Sequence, residues 1–574
     1  MSSAVSSLFR TCEVTGLRVH RDAENLVKVN AVVAIVFLLV GALAGLGLAL
    51  TRWQALHLLS AVWYYRVLTV HGLSMLIFFI IFFEMAVLYF AGPIMLGCRV
   101  PAPKLGWLSF VLMLAGSLLV EFIVFSGKAD VLFTSYPPLR ADPLYYLGII
   151  LFAVGALVVC FLFMATLVVA KREHTYEGSV PLVTFGGLTA AIIAIITLLH
   201  GAIIYIPTFA WSMNYIDSMD PEIYRVIFWG LGHSSQQINV SAQVAIWYLL
   251  AGLTVGGVVV NEKISRTAFV LYIGFISMAS AHHLLVDPGF GPAWKVWNTS
   301  YAMYLAVLAS MVHGFTVPAG IETGQRLRGY VNGAFEWLRK APWGDPGFAG
   351  LWLSLVIFGF IGGITGVTIG TEQINIIAHN TMRLPGHFHS TVVGGTALAF
   401  MAVTWYLIPL IFRRKVAFWK LAKIQPWLFG IGIVIMSMAM TFAGVMGVPR
   451  RHWDISFAQA PFKWEFPPAV DLMMALVALG GVMAVTAVLI FVACAVVSVF
   501  FGEKVDFEHL TPGMAGIPQG LIKLPPQQHE GEAVEAVHRG GTPGTMVLVG
   551  VFLSVFVLYY YTNWKMLSVV WKVG

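Results

Sequence analysis

Thirteen stretches of about 20 or more apolar residues, joined by short polar loops, run through this chain. Each is long enough to cross the hydrocarbon core of a bilayer as a helix. In that setting backbone polar groups find no water, so every crossing segment must satisfy its own hydrogen bonds. The spans fall near 28–50, 62–91, 106–126, 145–170, 182–207, 223–257, 267–287, 299–318, 348–370, 384–412, 425–447, 470–500 and 546–570. With 59% hydrophobic residues, 11% charged and a mean hydropathy of +0.84, a soluble globular fold is excluded. The expected architecture is all-α, a polytopic membrane bundle of about thirteen transmembrane helices forming one membrane-embedded catalytic domain over residues 1–574. Residues 502–545, rich in Gly and Pro, read as a cytoplasmic linker before the last helix. There is no internal repeat and no separate soluble domain.

Met1 to Lys28 is polar and carries Arg10, Arg18 and Arg21, which reads as a segment without a signal peptide. With that end cytoplasmic, it and the even-numbered loops hold 22 of the 34 Lys and Arg, Lys171, Arg172 and Arg413 to Lys415 among them. The positive-inside rule therefore gives a cytoplasmic N-terminus and an outward C-terminus. The net charge of +7 records this topology, and no nucleic-acid partner is expected. Cys12, Cys98, Cys160 and Cys494 are scattered, with no C-x-x-C and no C-x-x-C-H, so no thiolate metal site or haem attachment is expected.

Histidines supply the chemistry. Imidazoles are rare in hydrocarbon unless they face an interior or bind something. With this topology His71, His233, His282, His283, His387 and His389, from four different spans, all fall in the outer part of the membrane. His387 and His389 are two residues apart, about 200° around a helix and roughly 3 Å along it, so they serve two different centres. His282 and His283 are about 100° apart and can converge on one ion, with His233 of the neighbouring span as third ligand. Three neutral imidazoles with an open position suit copper, zinc or iron.

These residues sit in V-H-G-L-S at 70–74, Y-P-P-L at 136–139, W-G-L-G-H at 229–233, H-H-L-L-V-D-P-G at 282–289, H-N-T-M-R-L-P-G-H-F-H at 379–389 and V-P-R-R at 448–451. Together they make the chain resemble subunit I of the haem-copper oxidoreductases, most closely the B-family branch of Thermus-type cytochrome oxidases, over nearly its whole length. The resemblance implies that His71 and His389 are the axial ligands of a low-spin haem, b-type by default. It implies that His387 is the proximal ligand of a high-spin haem, and that His233, His282 and His283 hold the copper facing it. Arg450 and Arg451 match the pair that holds haem propionates, with His379 and Asp287 in the same region.

One position departs from the family. B-family oxidases carry a tyrosine one turn after the first copper histidine, able to give an electron and a proton to bound oxygen. Here that place holds Gln237, on the same helical face as His233, and an amide can give neither. The C-family tyrosine, about six residues before the paired histidines, is also missing from I-S-M-A-S at 276–280. Tyr248 lies 15 residues from His233, about 22 Å along the helix. Splitting O2 takes four electrons, whereas coupling two NO molecules takes two. The pattern therefore looks like a nitric oxide reductase derived from the B-family. Well-known NO reductases place a glutamate at this offset beside non-haem iron; the neutral Gln237 favours copper, with non-haem iron as the alternative.

For proton supply the resemblance points to Ser241, Tyr248, Ser310, His313 and Thr316, with Val244 where a hydroxyl is expected; Glu84 and Glu121 are further intramembrane candidates. Electrons are expected from a second subunit carrying an outward cupredoxin (CuA) or cytochrome c domain, fed by soluble cytochrome c or cupredoxin, with Trp294 and Lys295 near its docking site. The expected location is a prokaryotic plasma membrane. A terminal oxygen reductase would share every ligand. A proton-coupled transporter bundle would lack the spectrum of a bis-histidine haem.

Overall fold

The computed structural model describes residues 8–276, 279–458, 460–462, 464–522 and 541–570, with backbone alone at 276, 279–281 and 566–570. A short antiparallel pair, β1 (Phe9–Thr11) and β2 (Arg18–His20), leads into α1 (Arg21–Arg52). The membrane helices follow as α2 (Ala61–Ile94), α3 (Pro103–Phe125), α4 (Pro143–Arg172), α5 (Leu182–Ser212) and α6 (Pro221–Val255). After α7 (Glu262–Leu271) come α8 (Pro292–Leu327), α9 (Pro346–Ile369), α10 (Arg383–Phe412), α11 (Trp419–Val445), α12 (Ala469–Phe501) and α13 (Pro543–Val570). Twelve of these are long and apolar enough to cross a membrane among the described residues.

The remaining expected span, 267–287, is described on either side of residues 277 and 278. α7 runs over Glu262–Leu271 and continues in wider turns through Tyr272–Ile276, while Ala279–Leu284 forms a tight 3-10 turn carrying His282 and His283. Residues 277 and 278 are not described, so the side chains of I-S-M-A-S at 276–280 lie outside the described residues.

Helix starts follow the loop chemistry. Asp142, Asp220 and Asp345 each precede a proline and accept hydrogen bonds from first-turn amides, Asp345 from Gly347 N at 2.8 Å and Phe348 N at 3.1 Å. α6 ends on Gly256 at φ 63°, the left-handed conformation that lacks a Cβ penalty. Small residues let helices approach closely: a Cβ on Gly480 would lie 2.5 Å from the Gly432 carbonyl oxygen, joining α11 to α12.

The segment expected to be a linker is packed in its described part. Val416 N donates to Gly516 O at 2.8 Å and Gln519 N to buried Asp345 at 3.2 Å. Residues 523–540 lie outside the described residues. α13 is tied at its start to fully buried Glu322, which accepts from Gly544 N at 3.1 Å and Thr545 N at 2.7 Å. Buried Arg383 reaches Asn563 on the same helix at 2.5 Å.

Candidate metal centres

All six histidines singled out in the sequence line one cavity of about 520 Å³. His71 and His389 face each other across it with ring planes 11° apart and centres 6.1 Å apart. An iron held by two imidazole nitrogens at about 2 Å each sets ring centres about 6 Å apart, so this pair fits two axial ligands of one metal. Both rings are oriented from behind: His71 Nδ1 bonds Gly41 O at 2.8 Å and His389 Nδ1 bonds Pro385 O at 2.8 Å. Nδ1–H donating to a carbonyl fixes the tautomer whose Nε2 is free for a metal. Gly45 is required beside this pair, because a Cβ there would lie 2.7 Å from His71 Cε1.

His387 turns to a different neighbour, as its angular offset from His389 predicts. Its Nδ1 bonds Gly362 O of α9 at 3.0 Å and Thr365 Oγ1 at 3.2 Å, and a Cβ on Gly366 would lie 2.7 Å from its Cε1. The helices that carry or back these ligands depart from regular geometry close to them. Wide π-type turns occupy Ser74–Phe79 just past His71, Ile357–Gly363 behind His387, and His389–Ala397. Such turns often mark functional sites.

His233, His282 and His283 bring their ligand nitrogens within 4.8 Å of one another. His233 Nδ1 lies 3.0 Å from His283 Nε2, and Trp229 stacks on the His283 ring at 3.6 Å, fixing its plane. The other nitrogen of His233, Nε2, lies 2.8 Å from the Gln237 amide. Three imidazoles that close are a ligand set for one transition metal. With Nδ1 turned toward that point, Nε2 is left to the Gln237 amide, whose nitrogen faces it; a turn of the amide about its last bond would present the oxygen as acceptor for an Nε2–H.

Arg450 and Arg451 line the same cavity, and neither forms an ion pair among the described residues. Among the described residues the Arg450 guanidinium donates to the side-chain oxygen of Asn380, at 2.9 and 3.1 Å. Burial, with Arg451 alongside, pushes the Arg450 guanidinium down to about 9. Two such cations facing an internal space are a demand for an anion. A third, Arg52, escaped the sequence reading because a basic residue at a helix end looks ordinary. It is buried, lines the cavity, and donates to Pro449 O at 2.7 Å and to His452 O. His379 also lines the cavity, and burial with Arg450 nearby lowers it to about 4. Asp287 is taken by Arg225 in a two-pronged pair at 2.8 and 2.9 Å, so it acts on this region through that arginine.

Residues 25–483 match the family model described as cytochrome c and quinol oxidase polypeptide I. Cytochrome c oxidase subunit 1 of Thermus thermophilus is 30% identical over 436 residues, 75% of each chain. This chain belongs to the cytochrome c and quinol oxidase polypeptide I family. Quinol oxidase subunit 1 of Bacillus spizizenii is 26% identical over 68% of this chain and 59% of that one. A solved heme-copper terminal oxidase dimer matches with a TM-score of 0.80 at 25% identity, over 95% of this chain and 93% of that one.

Membership makes the chain a multi-pass membrane oxidoreductase subunit with haem and copper cofactors, and the histidine pocket meets that requirement. The expected proton groups are partly assembled. On α6, Tyr248 Oη is a hub, 3.0 Å from Ser265 Oγ of α7, 3.0 Å from His313 Nδ1 and 2.6 Å from Thr316 Oγ1 of α8. Ser241 is buried, has no hydroxyl partner among the described residues and does not join the hub, and Val244 is fully buried. The sequence reading missed Tyr272 of α7, whose hydroxyl lies 3.1 Å from Ser310 Oγ, a residue lining the cavity.

Glu121 accepts from Ser74 at 2.5 Å and Glu84 faces the Asn239 amide at 2.7 Å, yet neither lines the cavity. Near the expected docking site, Lys295 pairs with Glu372 at 2.9 Å and Trp294 stacks on Phe290 at 4.2 Å. The four cysteines are buried and unpaired.

Proposed function

We propose that this subunit is the catalytic core of a membrane-bound nitric oxide reductase, which carries out 2 NO + 2 H⁺ + 2 e⁻ → N2O + H2O. The observation that carries this reading is the contact of Gln237 with His233 at 2.8 Å. The place beside the triad where an oxygen reductase of this branch keeps a phenol is filled by an amide, which has no electron or proton to give. Among the described residues one tyrosine, Tyr64, lines the cavity, and it sits by Arg52, outside the three-histidine set. Two electrons suffice for NO coupling, and two metals supply them without a protein radical.

In this reading His71 and His389 hold a low-spin haem, b-type, His387 holds a high-spin haem, and His233, His282 and His283 hold copper. Bound there, the haem iron and copper supply the two redox centres between which the substrate is reduced. Arg450, Arg451 and Arg52 receive the propionates as charge-assisted donors, with His379 neutral beside them. With its amide turned so that the oxygen accepts from Nε2–H, Gln237 would fix the His233 tautomer whose Nδ1 is free for the metal. Trp229 and the Gly362 carbonyl hold His283 and His387 so that the site is set before substrate arrives. Tyr248, His313 and Thr316 bring protons. A second subunit with a cupredoxin or cytochrome c domain delivers electrons to the face of the membrane where the histidines lie, opposite the cytoplasmic N-terminus.

A second reading, reduction of O2 to water, has its own support. The relatives are named cytochrome c oxidase and quinol oxidase, and the matching structure is a terminal oxidase. Anaerobic conversion of NO by the purified enzyme, followed as N2O and set beside O2 uptake with the same reduced donor, separates the two. N2O formed at half the rate of NO loss supports NO reduction; vigorous O2 uptake with negligible N2O establishes the second reading.

A further inference from the structure

Two hydrogen-bonded segments lie between α6, α7 and α8. The lower one is the Tyr248 hub, which holds His313 by Nδ1. The upper one is Tyr272 with Ser310, and Ser310 opens on the metal cavity. His313 sits between them. It is fully buried, its ring centre is 5.6 Å from that of Tyr272, and its Nε2 has no hydrogen-bond partner among the described residues. Ser310 and His313 are three residues apart on α8, hence on one face of the helix. On α6 the straight climb from Tyr248 toward His233 is interrupted by Val244, whose side chain neither donates nor accepts.

We infer that Tyr272 replaces the missing hydroxyl of α6, and that protons reach the metal pocket by crossing from Tyr248 through His313 to Tyr272 and Ser310. His313 takes a proton at Nδ1 from Tyr248 and releases one from Nε2. Tyr272 accepts it, directly on rotation of the ring or through one water, and passes its own hydroxyl proton to Ser310, which releases its own into the metal cavity, while Tyr248 regains a proton through Thr316. Each group ends with the protons it began with, and rotation of imidazole and hydroxyls resets the chain. A buried imidazole with one nitrogen held and the other unpartnered is costly as a purely structural element. The relay gives that nitrogen a task. The inference rests on the histidine pocket being where protons are consumed, and is the same for NO or O2.

The test mixes the complete, fully reduced enzyme with NO, and separately with O2. Proton uptake is followed with a pH dye alongside haem oxidation. Tyr272→Phe should slow proton uptake and turnover about 10- to 100-fold while leaving the spectrum of the reduced low-spin haem unchanged. Ser310→Ala, a smaller change, should slow the same step, and the double variant should be no slower than the slower single one. Val244→Ser in the Tyr272→Phe background should recover part of the rate. Proton uptake at the wild-type rate in either single variant, or losses that multiply in the double variant, overturns the relay. Because the readout is proton uptake with whichever gas turns over, failure to make N2O leaves this test standing.

Discussion

The two sides of the pocket are built to different standards of closure. At the His71–His389 pair, each ring is pinned by a backbone carbonyl, the planes lie 11° apart, and a glycine clears the space beside them. At the triad, one partner is a side-chain amide and one ligand pair sits on a short 3-10 turn. The pair is fixed by main chain and tolerates little variation in its surroundings. The triad is contacted by a side chain, Gln237, and the proposed choice of substrate rests on that one residue.

The largest effect should come from the pinned side. His71→Ala or His389→Ala should abolish the bis-histidine haem spectrum and stop electron entry, measured by reduced-minus-oxidised absorbance and donor oxidation. A variant that keeps the spectrum would mean the pair is not an axial set. His283→Ala should next remove the triad metal while leaving both haems. Elemental analysis should then fall from about one copper per two irons to none. A third iron in wild type would replace copper by iron at the triad.

The tuned side should respond more mildly. Gln237→Ala leaves three imidazoles but frees Nε2 of His233, and should weaken copper retention about 10- to 100-fold, read by chelator competition. Unchanged retention would reduce Gln237 to a spectator. The smallest effect is electrostatic. His379 has its pKa lowered to about 4 by burial and by Arg450, against about 6.5 in an unfolded chain. Above pH 6.5 both states are neutral there and nothing changes. As pH falls from about 6.5 toward 4 the unfolded chain gains a proton that the native one refuses, so stability declines across that window. His379→Gln should flatten that part of the thermal-midpoint profile.

The same contrast explains what the sequence disclosed. The six histidines were legible because imidazoles inside apolar runs are conspicuous, and the angular offset of His387 and His389 placed them on separate centres. Their anchors were not, since Gly41 and Gly362 act through carbonyl oxygens that every residue possesses. The tight turn carrying His282 and His283 was hidden because 267–287 is as apolar as a regular span. Tyr272 was passed over because the proton path was sought along α6 and α8, and its role depends on the neighbour it meets across helices, Ser310. Arg52 was invisible for a similar reason, as its partners lie nearly 400 residues away at Pro449 and His452.

The central claim, that an amide in place of a phenol directs this pocket to nitric oxide, is tested most directly by the ratio of NO to O2 turnover in wild type and Gln237→Tyr, with one donor and one enzyme preparation each. The account predicts a wild type that turns over NO well and O2 poorly, with the ratio shifted toward O2 by the tyrosine. A wild-type enzyme that reduces O2 to water faster than it forms N2O, with a ratio indifferent to residue 237, would contradict it.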